Sequence, residues 1–144
     1  MYGLAAVRVG YLCGVEKVIS LVRRAYTVYS VNSLGQAAAQ AAIEEGDAHI
    51  QATRQMVRQA QGYLRRELAG LGLGYQMGEG IFCMVKVNCP DTTMYRRLMR
   101  QGIMVRTMTG FRFPNWIRVS YSAPEVMAAF IAALQSADRS VGTC

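Results

Sequence analysis

Few residues in this chain have both the type and the setting to do chemistry. Arg8 stands in "MYGLAAVRVGYLCG", a run of otherwise small and apolar residues. A guanidinium is a planar, permanently charged donor fork and can hold an anion. From the residues alone, however, Arg8 reads as a charge at a strand edge, and Arg106 in "MVR" and Arg118 in "WIRVS" leave the choice between such a charge and an anion contact open. The two lysines, Lys17 and Lys86, fall in a helical pattern and a strand pattern. Cys13, Cys83, Cys89 and Cys144 include no C-x-x-C pair, and His49 is remote from all of them in sequence. That spacing argues against a zinc site and for free thiols. Gly70, Gly72 and Gly74 look like part of a phosphate loop, but no GK[ST] follows and a helix ends there. They read as a helix terminus.

The chain has 144 residues, a one-domain length that can bury a sizeable core. With 52% apolar and 17% charged residues, the composition excludes a disordered chain. No apolar run reaches the roughly 18–20 residues that span a bilayer, and no signal-peptide pattern opens the chain. The expectation is a cytoplasmic protein without a membrane partner. The net charge is +7, and all but two of the 16 basic residues are arginines. They are scattered through helical patterns without interleaved aromatics, as solvated helix faces are, so no nucleic-acid partner is expected. An acidic partner segment outside this chain is a second explanation of the charge.

These residues need elements to position them. "VRVGYLCG" (7–14) has β-branched and aromatic residues and predicts a buried strand. Residues 15–26 predict a helix with basic residues in its last turn. Ser33 is expected to cap a small-residue helix that Gly46 closes. Asp47 is expected to cap a long helix over about 48–69, with a stripe of Ile50, Val57, Ala60, Leu64 and Leu68. Downstream the order is β-β-α-β-β-α. Its strands lie in "LGYQM", "GIFCMVKV", "IMVRTM" and "WIRVSYS". Its first helix has Asp91 as cap and Met94, Leu98 and Met99 facing inward, and "APEVMAAFIAALQSA" forms the last helix. This pattern predicts an α+β layer, a sheet with helices on one face. A boundary is expected near Gly70–Gly74, between residues 1–70 and 71–144.

Four segments carry a resemblance. "YGLAAVRVGY", "YSVNSLGQAAAQAAIE", "QGIMVRTM" and "FPNWIRVSYSAPEVMAAFIAAL" are similar, in this order, to signatures of the fold-type-I aminotransferases that depend on pyridoxal phosphate. The nearest subgroup is the histidinol-phosphate aminotransferases. The resemblance covers nearly the whole chain and begins just after the position of the Schiff-base lysine. It implies an α/β fold with a mixed sheet: a remnant of the large cofactor-binding domain over 1–70, with a strand and helices, and the small α+β domain over 71–144.

The resemblance also implies roles. Arg8 matches the arginine that binds the cofactor phosphate, and glycines beside it would let backbone approach the ligand. Arg118 matches the arginine that holds the substrate carboxylate. Arg106 is a second candidate anion contact, and Asn32, a further substrate-binding candidate, and Tyr29 fall in a segment near the family's active site and dimer interface. The expected ligands are pyridoxal phosphate and an amino acid or a phosphate-bearing small molecule. The family lysine is expected before Met1, and neither Lys17 nor Lys86 is in its place, so the chain alone is expected not to transaminate. It is read as a C-terminal fragment that pairs as a homodimer or with a missing N-terminal aminotransferase segment. The alternative is a binding or oligomerisation module without catalysis. In a departure from the subgroup, Ile81 stands where asparagine usually precedes the strand aromatic Phe82.

Overall fold

The computed structural model describes residues 2–139, so Cys144 lies outside the described residues. The chain divides into two compact units between Thr53 and Arg54, inside a long helix and upstream of the glycine turn at 70–74.

The first unit holds a short 3-10 turn over Leu4–Val7, helix α1 (Glu16–Arg24), helix α2 (Ser33–Glu45) and the first turns of α3 (Asp47–Gly70). The strand expected over 7–14 does not form: Val7 closes the 3-10 turn, Arg8 ends it in the left-handed region at φ 57°, and residues 9–15 are irregular. A strand requires a partner to complete its ladder, and no described residue of this unit is in a strand. The cap of α2 is Asn32, not Ser33. Its Oδ1 accepts from Gly35 N at 2.7 Å, and its Nδ2 donates to Val7 O at 3.1 Å. Gly35 is buried at this junction, where a Cβ would sit 3.2 Å from Val7 O.

The second unit is built on a four-stranded sheet of β1 (Tyr75–Met77), β2 (Phe82–Lys86), β3 (Arg106–Thr107) and β4 (Trp116–Ser120), in the order β1-β2-β4-β3. Every pairing is antiparallel, so the expected mixed sheet resolves to a purely antiparallel one. Alternation along the central strands turns Cys83, Val85, Ile117 and Val119 inward. They join one core with Leu64 and Leu68 of α3, Met94 and Leu98 of α4 (Asp91–Met99), and Phe130 and Leu134 of α5 (Pro124–Arg139). The helices thus cover one face, as the pattern implied. Burial pushes the Cys83 thiol up to about 11.

Two expectations for α4 are corrected. Met99 is exposed, because the nine-residue helix ends with it: Gly102 turns left-handed at φ 78° and Ile103 N closes onto Leu98 O at 3.0 Å. Asp91 is not the cap. Pro90 holds that position, and the Asp91 side chain bonds elsewhere.

Candidate functional site

β3 and β4 run side by side with Arg106 directly opposite Arg118. Met84 of β2 faces Arg118 from its other side. All three lie on the sheet face turned away from the core. Like charges directly opposite on a sheet are destabilising unless something answers them. Each guanidinium instead lies over an aromatic ring. Arg118 Cζ is 5.2 Å from the centre of Phe82, and Arg106 Cζ is 5.7 Å from the centre of Phe111. Such contacts are worth about 0.5–1 kcal/mol at exposed sites. They restrain the side chains without occupying their in-plane N–H donors. Among the described residues neither guanidinium forms an ion pair or a side-chain hydrogen bond, so the donor forks are open to a ligand. Both line a cleft of about 930 Å³ that also takes in Thr92, Tyr95 and Arg96 of α4, Ser120 of β4 and Ser122 beyond it. Hydroxyls and three guanidinium groups around an open cleft suit a carboxylate or phosphate.

The turn that carries Phe111 is fixed from α4. Asp91 is only 2% exposed, and its Oδ2 accepts from Met108 N at 2.8 Å and Thr109 N at 2.9 Å, while Oδ1 accepts from Thr109 Oγ1 at 2.6 Å. Burial by itself raises the pKa of this carboxyl. The bonds from Thr109, Met108 and its own N–H together outweigh burial and hold it below the ordinary value. A carboxyl with a lowered folded-state pKa stabilises the fold above its unfolded pKa, near 3.9, and the contribution is lost as pH falls through the folded value. The stability difference between the wild-type chain and Asp91→Asn is therefore expected to be largest near neutrality and to shrink steadily below about pH 4. Urea denaturation of both proteins across that range measures it, and a difference that stays constant with pH would contradict it.

The sequence candidates separate in space. Arg106 and Arg118 come together. Arg8 belongs to the first unit, is exposed, and donates from one guanidinium nitrogen to Ala5 O at 3.0 Å. Asn32 is engaged at both ends of its side chain in the α2 cap. Tyr29 is 94% exposed with φ 62°. Phe82, Phe111 and Asp91 were not among the sequence candidates for the site. Alternation put Phe82 on the arginine face, but nothing in the sequence linked Phe111 or Asp91 to it.

Residues 1–134 match the family model described as aminotransferase class I and II. The chain belongs to that family. Histidinol-phosphate aminotransferase 1 of Cupriavidus pinatubonensis is 37% identical over 140 residues, covering 94% of this chain and 37% of the relative. Histidinol-phosphate aminotransferase of Symbiobacterium thermophilum is 33% identical over 137 residues, covering 95% of this chain and 38% of the relative. The chain thus spans well under half the length of these curated relatives. Among solved structures it is similar to histidinol-phosphate aminotransferase from Sinorhizobium meliloti in complex with pyridoxal-5'-phosphate. That TM-score is 0.76 at 25% identity, covering 97% of this chain and 39% of that one. A PLP-dependent aminotransferase from Streptococcus suis shares the fold with TM-score 0.77 at 18% identity, covering 96% of this chain and 39% of that one. The fold of this aminotransferase chain is therefore part of the fold-type-I architecture. No helix among the described residues is long and apolar enough to cross a membrane.

Proposed function

We propose that this chain corresponds to the C-terminal portion of a histidinol-phosphate-aminotransferase-like enzyme, and that on its own it binds anions without transaminating. The cross-strand pair Arg106 and Arg118, each on an aromatic ring at an open cleft, carries this reading. Arg118 takes the substrate carboxylate, and Arg106 is a second anion contact for a phosphate-bearing amino substrate. The similarity to histidinol-phosphate aminotransferases supports that substrate class.

The family cofactor is pyridoxal phosphate, which supplies an electron sink for carbanion chemistry when bound. Arg8 fits its phosphate, being an exposed guanidinium with donors left over after its bond to Ala5 O. The aldehyde end is not matched. Lys17 is exposed on α1, Lys86 is exposed at the end of β2 in the other unit, and neither adjoins Arg8 in sequence. The described residues therefore fit part of the cofactor only, and no catalytic step is assigned to this chain.

Calorimetric titration with inorganic phosphate and with succinate tests the site, and incubation with pyridoxal phosphate and an amino donor tests catalysis. The expected result is saturable anion binding with no turnover. Absence of binding overturns the site. Turnover accompanied by a borohydride-trapped adduct on Lys17 or Lys86 overturns the non-catalytic reading.

The first unit favours an association role beside this one. Gly35 and Ile50 are its only buried residues among those described, whereas Tyr11, Val28, Leu34 and Ile43 are all exposed. A unit with so little core and so much bare apolar surface associates. Light scattering at micromolar concentration is expected to give a mass above the 15.9 kDa of one chain, with a two-fold dimer as the simplest closed form. A stable monomer would show that these side chains do not drive association.

A further inference from the structure

We propose that Asp91 is a positioning residue for the anion site: through the turn that follows β3 it holds Arg106 on the Phe111 ring, opposite Arg118. The proposal rests on the site reading above and adds a residue to it. Three observations lead there.

The first is where the carboxylate bonds. An aspartate at a helix start ordinarily accepts from the first N–H groups of its own helix. Asp91 is the first residue of α4, yet besides its own N–H its partners are Met108 N, Thr109 N and Thr109 Oγ1, 17 and 18 residues downstream. The carboxylate is nearly fully buried and has no cationic partner among the described residues. Burying an unpaired charge is costly unless hydrogen bonds satisfy it. These bonds therefore tie the downstream segment firmly to α4.

The second is what that segment carries. Met108 directly follows β3, which begins with Arg106, and Thr109 opens the 3-10 turn that ends with Phe111. The carboxylate thus grips the middle of a short stretch whose two ends are the guanidinium and the ring it lies on, 5.7 Å apart. Met108 N is shared with Trp116 O at 3.2 Å, and Phe111 N donates to Met108 O at 2.9 Å, so the same point also joins β4 and the turn.

The third is strand length. β3 has two residues and lies at the sheet edge. Two residues of ladder cannot set the direction of a long side chain by themselves, and Arg106 is the exposed member of the pair. Its placement opposite Arg118 then depends on the turn, and the turn depends on Asp91.

The test uses the whole chain and four variants: Asp91→Asn, Thr109→Val, Thr109→Ser and Arg118→Ala. Thr109→Val removes one bond to the carboxylate and keeps the size of the side chain, whereas Thr109→Ser keeps the hydroxyl. Two readouts are taken on folded protein, with circular dichroism confirming the fold. One is the NMR shift of the Arg106 side-chain Hδ and Hε signals, displaced by the Phe111 ring current. The other is the dissociation constant for inorganic phosphate. The expected result is that Asp91→Asn and Thr109→Val move the Arg106 signals toward their free-chain values and weaken phosphate binding about 3- to 10-fold. Thr109→Ser is expected to restore both, and Arg118→Ala to weaken binding while leaving the Arg106 ring-current shift in place. If Arg106 keeps its shift in folded Thr109→Val and in folded Asp91→Asn, the proposal is overturned. If the Arg106 signals respond as expected but the wild-type chain binds no phosphate, the positioning link stands and the anion-site reading fails. If Asp91→Asn does not fold, the Thr109 pair decides alone.

Discussion

Met94→Ala is expected to destabilise the second unit by about 2–5 kcal/mol, while Met99→Ala, five residues along the same helix, changes stability by less than about 1 kcal/mol. Met94 is fully buried, packed into the single core formed by the inward strand residues and the helices. Removing its side chain forfeits transfer free energy and leaves a cavity that the antiparallel sheet cannot close. Met99 is 48% exposed at the end of α4. For a unit of this size each kcal/mol lowers the melting temperature by roughly 4–8 °C, so the two variants separate by at least about 4 °C. Urea denaturation followed by near-ultraviolet circular dichroism reports the unit through Trp116 and the tyrosines. Equal losses for the two variants would mean that α4 extends past Met99 in solution and turns that residue inward.

Arg118→Ala is expected to weaken phosphate or succinate binding by about 10- to 100-fold. Hydrogen bonds to charged groups are worth about 1.5–3 kcal/mol, and every 1.4 kcal/mol is a factor of ten in affinity. Arg118 is half-buried on β4, flanked by strands on both sides, so it is more rigidly presented than Arg106 on the edge. Arg118→Lys recovers little, because an ammonium lacks the planar fork that meets a carboxylate with two bonds. Phe82→Leu is expected to cost only a few-fold, in line with a cation–π contact worth about 0.5–1 kcal/mol. Calorimetric titration checks all three. A folded Arg118→Ala chain that binds either anion within twofold of wild type would remove Arg118 from the site.

The amino-acid sequence by itself determined the elements whose signal is local and repeated. The stripe of α3, the alternation of β2 and β4 and the last helix all stand where their periodicity placed them, because a buried face imposes one period along the whole element. The ordered motifs determined the family, and they picked out Arg106 and Arg118 without showing that the two are neighbours. Only the tertiary structure decided that. A two-residue edge strand has too little pattern to announce its register, and it is the pairing with β4 that sets the two arginines opposite each other. Tertiary structure also decided against a strand at Val7–Gly14. The composition favours extended chain, but a strand exists only through hydrogen bonds to another, and the first unit offers none among the described residues. It likewise reassigned Asp91. Spacing made it a helix cap, and only the fold brings Met108 and Thr109 within 3 Å of its carboxylate, which converts a local signal into the anchor of a distant turn.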